Sequence, residues 1–224
     1  MIRENDLKLL TNYRRLKHIK RCNNFPTLVP ENVAEHSYYV ALTALTLVEE
    51  YNRYVDSNNL KYHPMDDEHQ MIFADVHSVL KRALFHDMEE AFTSDIPYNV
   101  KHHDSEVYTA LKSTTRKILG DVYENSTPIG CSHKYCIEHC KDGLEGAFVA
   151  VADLLEGAWY CCEEINFGNK TIRGLLQNYY DILVKSELHA TFMKTCPTFK
   201  ALMELFYDTL LMTPRFNPER ELFV

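Results

Sequence analysis

The 224-residue sequence is poor in the two residues that most often interrupt helices, with 7 glycines and 8 prolines. Because this usage is about half of the average for globular proteins, the composition favours long helices. No apolar run approaches the roughly 18 residues that a membrane-spanning helix needs, so we expect no membrane span. The charged start, Met1–Asp6, contains no apolar signal-peptide core, and we therefore expect a cytoplasmic protein.

Basic residues are also scarce: Lys and Arg number 24 against 32 Asp and Glu, which gives a formal net charge of −8. Affinity for nucleic-acid polymers comes largely from Lys and Arg on phosphates, so the composition argues against such a partner and leaves room for a small anion. The cysteines are an odd number, 7, and Cys161 and Cys162 are adjacent, which favours reduced thiols. Histidine, by contrast, is abundant, with 11 residues.

Apolar residues recur at helical spacing along most of the chain, whereas alternation with period 2 never exceeds a few residues. In the clearest stripe the predicted buried residues are Ser37, Val40, Ala41, Ala44, Leu47, Val48 and Tyr51. We expect helices at about 6–21, from Asn32 or Val33 onward, and at 68–92, 104–123, 143–167, 170–190 and 197–212. The sequence therefore predicts one all-α domain without strands.

Residues that can ligate a metal lie on the apolar faces of three of these helices. His36 ends the stripe of the second helix, and His86 continues the stripe of the third and is followed by Asp87. Asp153 lies on a face of small residues in the helix at 143–167. A buried carboxylate costs several kcal/mol unless a cation or hydrogen bonds compensate it. One metal ion would compensate all of these groups; the alternative for each histidine is a core residue bonded to a backbone carbonyl.

The same residues stand within longer motifs. These are Arg15-Leu16, Arg21, Glu31 to Ser37 (ENVAEHS), Phe85 to Pro97 (FHDMEEAFTSDIP), Val100-Lys101 and Ala152-Asp153. The order of histidines and aspartates resembles the signature of the HD-domain phosphohydrolase superfamily, and the motifs together resemble the bacterial HD-domain 5′-deoxynucleotidase family. This resemblance implies a single HD-type helical bundle over residues 1–224, with a core at about 7–190 and a C-terminal helix and tail at about 191–224.

The resemblance further implies that His36, His86, Asp87 and Asp153 bind one divalent metal ion. Imidazole and carboxylate ligands suit Co, Mn, Zn, Ni or Fe, with Mg as an alternative. Such a metal lowers the pKa of water and polarises a phosphoryl oxygen. The family also leads us to expect a homo-oligomer, a dimer or larger.

Roles for neighbouring residues follow from the same motifs. The resemblance implies that Glu90 and Asp95 are catalytic or contact substrate, and that Arg21 and Lys101 hold phosphate. Glu90 follows His86 by four residues, so on a helix both lie on one side and Glu90 could move a proton. The simpler alternatives are a solvated Glu90, a turn-forming Asp95 and an Arg21 that complements a helix C-terminus.

Two features depart from the family pattern. Cys22 follows Arg21 at the position where the family usually has a tryptophan near the sugar. The resemblance implies that Cys22 contacts the substrate, and the missing ring leaves selectivity between deoxyribose and ribose open. The segment from Asn52 to Met71 is longer than expected. We expect a 5′-nucleotidase that releases phosphate from (deoxy)nucleoside 5′-monophosphates by attack of a metal-activated water. The alternatives are a phage-type triphosphohydrolase that releases triphosphate from a dNTP such as dATP, and a nucleotide-binding HD module without catalysis.

A second cluster of potential ligands is concentrated in ten residues. It comprises Cys131, His133, Cys136, His139 and Cys140. The spacing matches no paired CxxC knuckle, so the prediction is a buried helix edge with free thiols, and the alternatives are a structural zinc site and an interaction scaffold built on this segment.

Overall fold

The computed structural model describes residues 4–58, 73–96, 105–123 and 128–213. Its α-helices are α1 (Glu4–Tyr13), α2 (Val33–Ser57), α3 (Val76–Phe85), α4 (Glu90–Thr93), α5 (Ser105–Tyr123), α6 (Pro128–Glu138), α7 (Gly143–Asn166), α8 (Arg173–Lys185), α9 (His189–Thr195) and α10 (Pro197–Met212). Short 3-10 helices occupy Arg14–His18 and Lys170–Ile172. Within the described segments there is no strand, and an isolated antiparallel bridge joins Lys20 to Asn32. The all-α prediction is confirmed.

Helix α2 begins where local chemistry predicts a helix start. The side chain of Asn32 accepts hydrogen bonds from the backbone N–H groups of Ala34 and Glu35, and the Glu35 carboxylate accepts one from the N–H of Asn32. This reciprocal capping box satisfies N–H groups that have no partner within the helix. The predicted stripe of α2 is buried in full, and it includes His36 in the first turn.

Helix α7 is the other main contributor to the core, and it packs on α2, α3 and α8. Small residues permit this close approach, as the sequence predicts. A Cβ atom at Gly157 would lie 2.8 Å from Cζ of Tyr179 on α8, and one at Gly146 would lie 2.7 Å from the backbone oxygen of Lys141. Helices α9 and α10 also contact α2, so the C-terminal helices pack on the core.

Two predicted helix ends are wrong. The helix predicted at 6–21 ends at Tyr13, tightens to a 3-10 helix, and gives way at Ile19 to extended backbone with φ −96° and ψ 112°. Arg21 therefore lies in a loop, and the alternative that it complements a helix C-terminus is wrong. The helix predicted at 170–190 ends at Lys185, where Ser186 becomes extended with φ −62° and ψ 135°.

The helix predicted at 68–92 is interrupted within its described part. Helix α3 ends at Phe85, residues 86–89 form turns, and α4 then begins at Glu90. The imidazole of His86 donates from Nδ1 to the backbone oxygen of Ala83, at 2.7 Å. If the helix continued, this oxygen would accept the N–H of Asp87. The turn N–H groups of Met88 and Glu90 bond three residues back instead. Helix α6 lies outside the helix ranges predicted from the sequence and covers most of the cysteine-rich segment.

Among the described helices, none combines the length and the apolar character needed to cross a membrane.

Candidate metal centre

His36 and His86 face each other in the interior, between the start of α2 and the end of α3. Their exposed fractions are 0% and 2%, and their Nε2 atoms are 3.3 Å apart. Each Nδ1 atom is engaged by an oxygen: that of His86 by the Ala83 carbonyl at 2.7 Å, and that of His36 by the carboxylate of Glu156. A histidine whose Nδ1–H is hydrogen-bonded keeps the Nε2 lone pair for a metal. Both rings therefore present a nitrogen ligand to the same space.

Carboxylates complete this group. Asp153 on α7 places Oδ1 3.2 Å from Nε2 of His36 and 3.9 Å from Nε2 of His86. The ligand atoms of these three residues all lie within 4.8 Å of one another. Asp87 places Oδ2 3.2 Å from Nε2 of His86 and 3.6 Å from Nε2 of His36. The four predicted ligands thus lie together, and two imidazole nitrogens with two carboxylates suit a divalent transition metal.

The carboxylates of the group are held ionised by neighbouring cations. Burial raises the pKa of Asp153, but Lys141 and the two histidines outweigh it and hold that pKa well below the ordinary value. Burial also raises the pKa of Asp87, but His86 lowers it by more, so the pKa of Asp87 lies below its ordinary value. Burial and Arg21 lower the pKa of His36, whereas Glu156 and Asp153 raise it to about 9. The carboxylates are therefore ionised at neutral pH, where Lys141 and the histidines compensate their charge.

Two side chains beside the centre were not identified from the sequence. Nζ of Lys141 lies 2.7 Å from Oδ2 of Asp153, and the lysine side chain is 49% exposed. Glu156 is 7% exposed and contacts His36. Glu156 follows Asp153 by three residues and thus shares its helix face, which is a signal that the sequence contains. Lys141 precedes α7 in a turn, where helical spacing gives no signal.

Arg21 is connected to the metal group through the carboxylate of Glu156. Its Nη1 atom donates to Oε2 of Glu31 at 2.8 Å and to Oε2 of Glu156 at 3.1 Å, and its side chain is 11% exposed. Glu31, His36 and Glu156 form a second group with converging ligand atoms, and the Arg21 guanidinium supplies a cation to its two carboxylates. Burial and Glu156 raise the pKa of Glu31 to about 7, against the lowering effect of Arg21.

The loop that carries Arg21 is anchored to α7. Glu164, which is fully buried, accepts hydrogen bonds from the backbone N–H groups of Leu28 and Val29 and from the amide of Asn169. The amide of Asn169 also donates to the carbonyl of Pro26, at 2.7 Å. At the base of the loop, the N–H of Arg21 bonds the carbonyl of Glu31 at 3.0 Å. These bonds fix the loop relative to the metal group.

A family model described as 5′-deoxynucleotidase YfbR-like matches residues 8–202. The chain belongs to the YfbR-like family. This confirms the family indicated by the sequence motifs.

Curated relatives of this YfbR-like chain cover most of its length. A protein named 5′-deoxynucleotidase YPTB2590, from Yersinia pseudotuberculosis, is 27% identical over 203 residues, which are 88% of this chain and 95% of the relative. A protein named 5′-deoxynucleotidase YfbR, from Shigella boydii, is 28% identical over 185 residues, which are 79% of this chain and 78% of the relative.

Solved structures have the same fold. An HD-domain phosphohydrolase from Listeria innocua superposes with a TM-score of 0.58 at 19% identity, covering 92% of this chain and 98% of that one. A conserved hypothetical protein from Pyrococcus furiosus superposes with a TM-score of 0.61 at 23% identity, covering 87% of this chain and 99% of that one. At these identities the likeness concerns the fold, and it agrees with the predicted HD-type bundle.

The other predicted site residues of this YfbR-like chain, apart from Lys101, lie in described segments. Glu90 begins α4 and is 4% exposed, so it is not the solvated surface charge of the simpler alternative. Asp95 is half-buried, and its backbone carbonyl accepts a hydrogen bond from Asn23 at 3.3 Å, which places it beside the Arg21 loop. Cys22 has φ +51° and is half-buried, and burial raises its pKa to about 11. Lys101 lies outside the described residues, as do residues 59–72 of the long segment.

The cysteine-rich segment of the YfbR-like chain is mostly helical. Among the described residues, potential ligand atoms converge in two groups, and neither includes a member of this segment. His133 packs its ring 4.4 Å from that of Phe85 and hydrogen-bonds Tyr13, while His139 bonds Asp142 at 2.7 Å. All of its cysteines are free, and Cys136 is buried. Cys131 is exposed and Cys140 is half-buried, so the predicted buried helix edge holds only around Cys136.

Proposed function

We propose that this protein is a metal-dependent phosphohydrolase that releases orthophosphate from nucleoside 5′-monophosphates, including deoxynucleotides. The observation that carries the proposal is the convergence of Nε2 of His36, Nε2 of His86 and a carboxylate oxygen of Asp153, all within 4.8 Å of one another, in a YfbR-like chain. The curated relatives that match most of the chain are named 5′-deoxynucleotidases. These names support the choice of a monophosphate substrate.

His36, His86 and Asp153, together with Asp87, would hold the divalent metal. A bound metal would supply Lewis acidity, which makes water more acidic and polarises a phosphoryl oxygen. The protein contributes the orientation of its ligands, because oxygens of the protein itself fix both imidazoles through Nδ1. Either Co, Mn, Zn, Ni or Fe, or Mg as the alternative, would suit these donors.

Other residues would handle the phosphate and protons. Arg21 presents a planar guanidinium, which suits the oxygens of a phosphate, and Glu156 contacts both Arg21 and the metal-group residue His36. Glu90, buried next to the turn that carries His86 and Asp87, is proposed to move a proton at the reacting water or the leaving 5′ oxygen. Asp95 and Cys22 would face the sugar, and Lys101 would provide a second phosphate contact.

The test is the phosphate species released from a panel of nucleotides. Metal-free protein is loaded separately with Mn²⁺, Co²⁺, Zn²⁺ and Mg²⁺ and incubated with mono- and triphosphates of the deoxy and ribo series. We expect orthophosphate from the monophosphates. Tripolyphosphate from a dNTP would instead identify the triphosphohydrolase alternative, and binding without turnover with every metal would identify a non-catalytic module.

Variants link this activity to the proposed centre. His36→Ala and Asp153→Ala are expected to lower kcat/KM by more than about 100-fold, because each removes a metal ligand. His77→Ala on the exposed side of α3 and Asp208→Asn on α10 are matched controls and should retain wild-type activity. Full turnover by His36→Ala would refute the assignment of the metal ligands.

We also propose a homo-oligomer, a dimer or larger, on the basis of the family. Light scattering coupled to size-exclusion chromatography measures the mass against 26.2 kDa for one chain. A mass equal to that of one chain over the concentration range of the activity assay would contradict this proposal.

A further inference from the structure

The two histidines of the centre are held in different ways, and the difference lies in the atom that faces each Nδ1. His86 bonds an uncharged backbone carbonyl, that of Ala83, at 2.7 Å within its own turn. His36 bonds a carboxylate, that of Glu156, from another helix. Because a carboxylate is a stronger acceptor than a carbonyl, it orients the ring more firmly and raises the electron density at the opposite nitrogen.

The same face of α7 contacts both nitrogens of the His36 ring. Asp153 lies 3.2 Å from Nε2, and Glu156, three residues later, contacts Nδ1. Helix α7 is a main part of the core, so the backbone that carries both carboxylates is held by buried residues. His36 is itself 0% exposed, and no solvent competes for its Nδ1 atom. The orientation of the ring is thus determined by one rigid element.

Glu156 is retained as an ion in the interior because a cation neutralises it. Nη1 of Arg21 lies 3.1 Å from Oε2, the same oxygen that contacts His36. A buried carboxylate without such compensation would cost several kcal/mol. Arg21 is shared with Glu31, at 2.8 Å, so the three side chains form a network that ends at His36.

We propose that Glu156 is a positioning residue that holds the ring of His36, through Nδ1, with Nε2 directed to the metal ion; this rests on the metal-dependent function proposed above. Glu156 does not contact the metal or the substrate in this role. It acts on metal affinity through His36, and the Arg21 guanidinium compensates its charge.

The test compares metal binding by the wild type with that of Glu156→Ala and Glu156→Gln, using Zn²⁺ and Co²⁺ in competition with a chromophoric chelator. Glu156→Ala is expected to lower metal affinity by about 10- to 100-fold, the usual effect of removing a partner of a metal-bound histidine. Glu156→Gln should recover part of the loss, since an amide oxygen still accepts from Nδ1–H. Glu163→Gln, an exposed residue of the same helix, is the matched control and should bind as the wild type does.

A spectroscopic measurement separates positioning from a general loss of structure. In the Zn²⁺-loaded, ¹⁵N-labelled protein, we expect both His36 and His86 to show slowly exchanging Nδ1–H signals. Glu156→Ala should abolish the slow exchange at His36 and preserve it at His86, whose partner is the Ala83 carbonyl. Wild-type metal affinity and an unchanged His36 signal in Glu156→Ala would overturn the inference while leaving the proposed function intact. A wild type that binds no metal would overturn both.

Discussion

Replacing Gly146 with alanine tests the close packing at the start of α7. A Cβ atom at this position would lie within 2.7 Å of Cα and the backbone oxygen of Lys141 and still closer to its carbonyl carbon. These are backbone atoms, so the clash is not relieved by rotation of a side chain. Either the turn before α7 moves or the helix does.

The expected magnitude is the difference between two opposing effects. Alanine is favoured over glycine within a helix by up to about 1 kcal/mol. Overpacking of a filled interior costs about 1–3 kcal/mol. Because the clash is with backbone atoms, its cost lies in the upper part of this range, and we expect Gly146→Ala to lower the free energy of unfolding by about 1–2 kcal/mol. Because Lys141 contacts Asp153, the displaced turn should also weaken that ion pair.

Urea unfolding followed by circular dichroism measures this effect, and the chain provides matched controls. At Gly174 in α8 and Gly120 in α5, an added Cβ atom would meet nothing within 4 Å. Alanine at either of them should leave stability unchanged or raise it by up to about 1 kcal/mol. An unfolding free energy for Gly146→Ala equal to or above that of the wild type would refute the close approach of Lys141 to α7.

Further predictions concern the loop anchor, the thiols and the metal. Glu164→Gln should lower the free energy of unfolding by about 1–3 kcal/mol at neutral pH, because a buried charged acceptor of several hydrogen bonds is lost. Burial raises the pKa of Glu164, but Asn169 and the loop amides lower it overall, so this stabilisation is lost as the pH falls and the urea midpoints should converge in acid. Cys131→Ser should remove the fast phase of reaction with a thiol reagent, since Cys131 is exposed and the other cysteines are buried or half-buried. Metal at about 100 times its Kd should stabilise the wild type by about 2.7 kcal/mol, and Asp153→Ala much less, as measured by thermal unfolding.

Each of these predictions has a result that contradicts it. Equal stability of Glu164→Gln and the exposed variant Glu163→Gln would mean that the anchor is unimportant. Fast modification that persists in Cys131→Ser would mean that another thiol is accessible. Equal stabilisation of the wild type and Asp153→Ala by metal would place the binding site elsewhere.

The apolar stripes and the ligand residues could be predicted from the sequence because each depends on local spacing. The stripe of α2 places His36 at its inner end, and the motif Phe85 to Pro97 places His86 next to Asp87. Helical periodicity alone determines which side of α2 is buried. The family resemblance then supplied the set of four ligands, which come from α2, the turn after α3 and α7.

The features that the sequence did not reveal depend on contacts between distant residues. The break after Phe85 coincides with a bond between the His86 ring and a backbone carbonyl, which periodicity cannot detect. Arg21 pairs with Glu31 and also with Glu156, and 135 positions of sequence separate Arg21 from Glu156. Glu156 was overlooked because a glutamate in a helix is usually a solvated charge, and its burial follows from the position of His36.

Helix α7 carries one residue of the metal group, Asp153, and the residue that anchors the Arg21 loop, Glu164. Asp153 and Glu164 are eleven positions apart, which in an α-helix separates them by about 16 Å along the axis and only about 20° around it. The same face of α7 thus supplies the Asp153 carboxylate to the metal group and the Glu164 carboxylate to the loop of Arg21. Deleting a single residue between them would rotate Glu164 by about 100° away from Leu28 and Val29. This stretch of α7 should therefore tolerate substitutions at exposed positions such as Trp159 and Glu163, but no change in length.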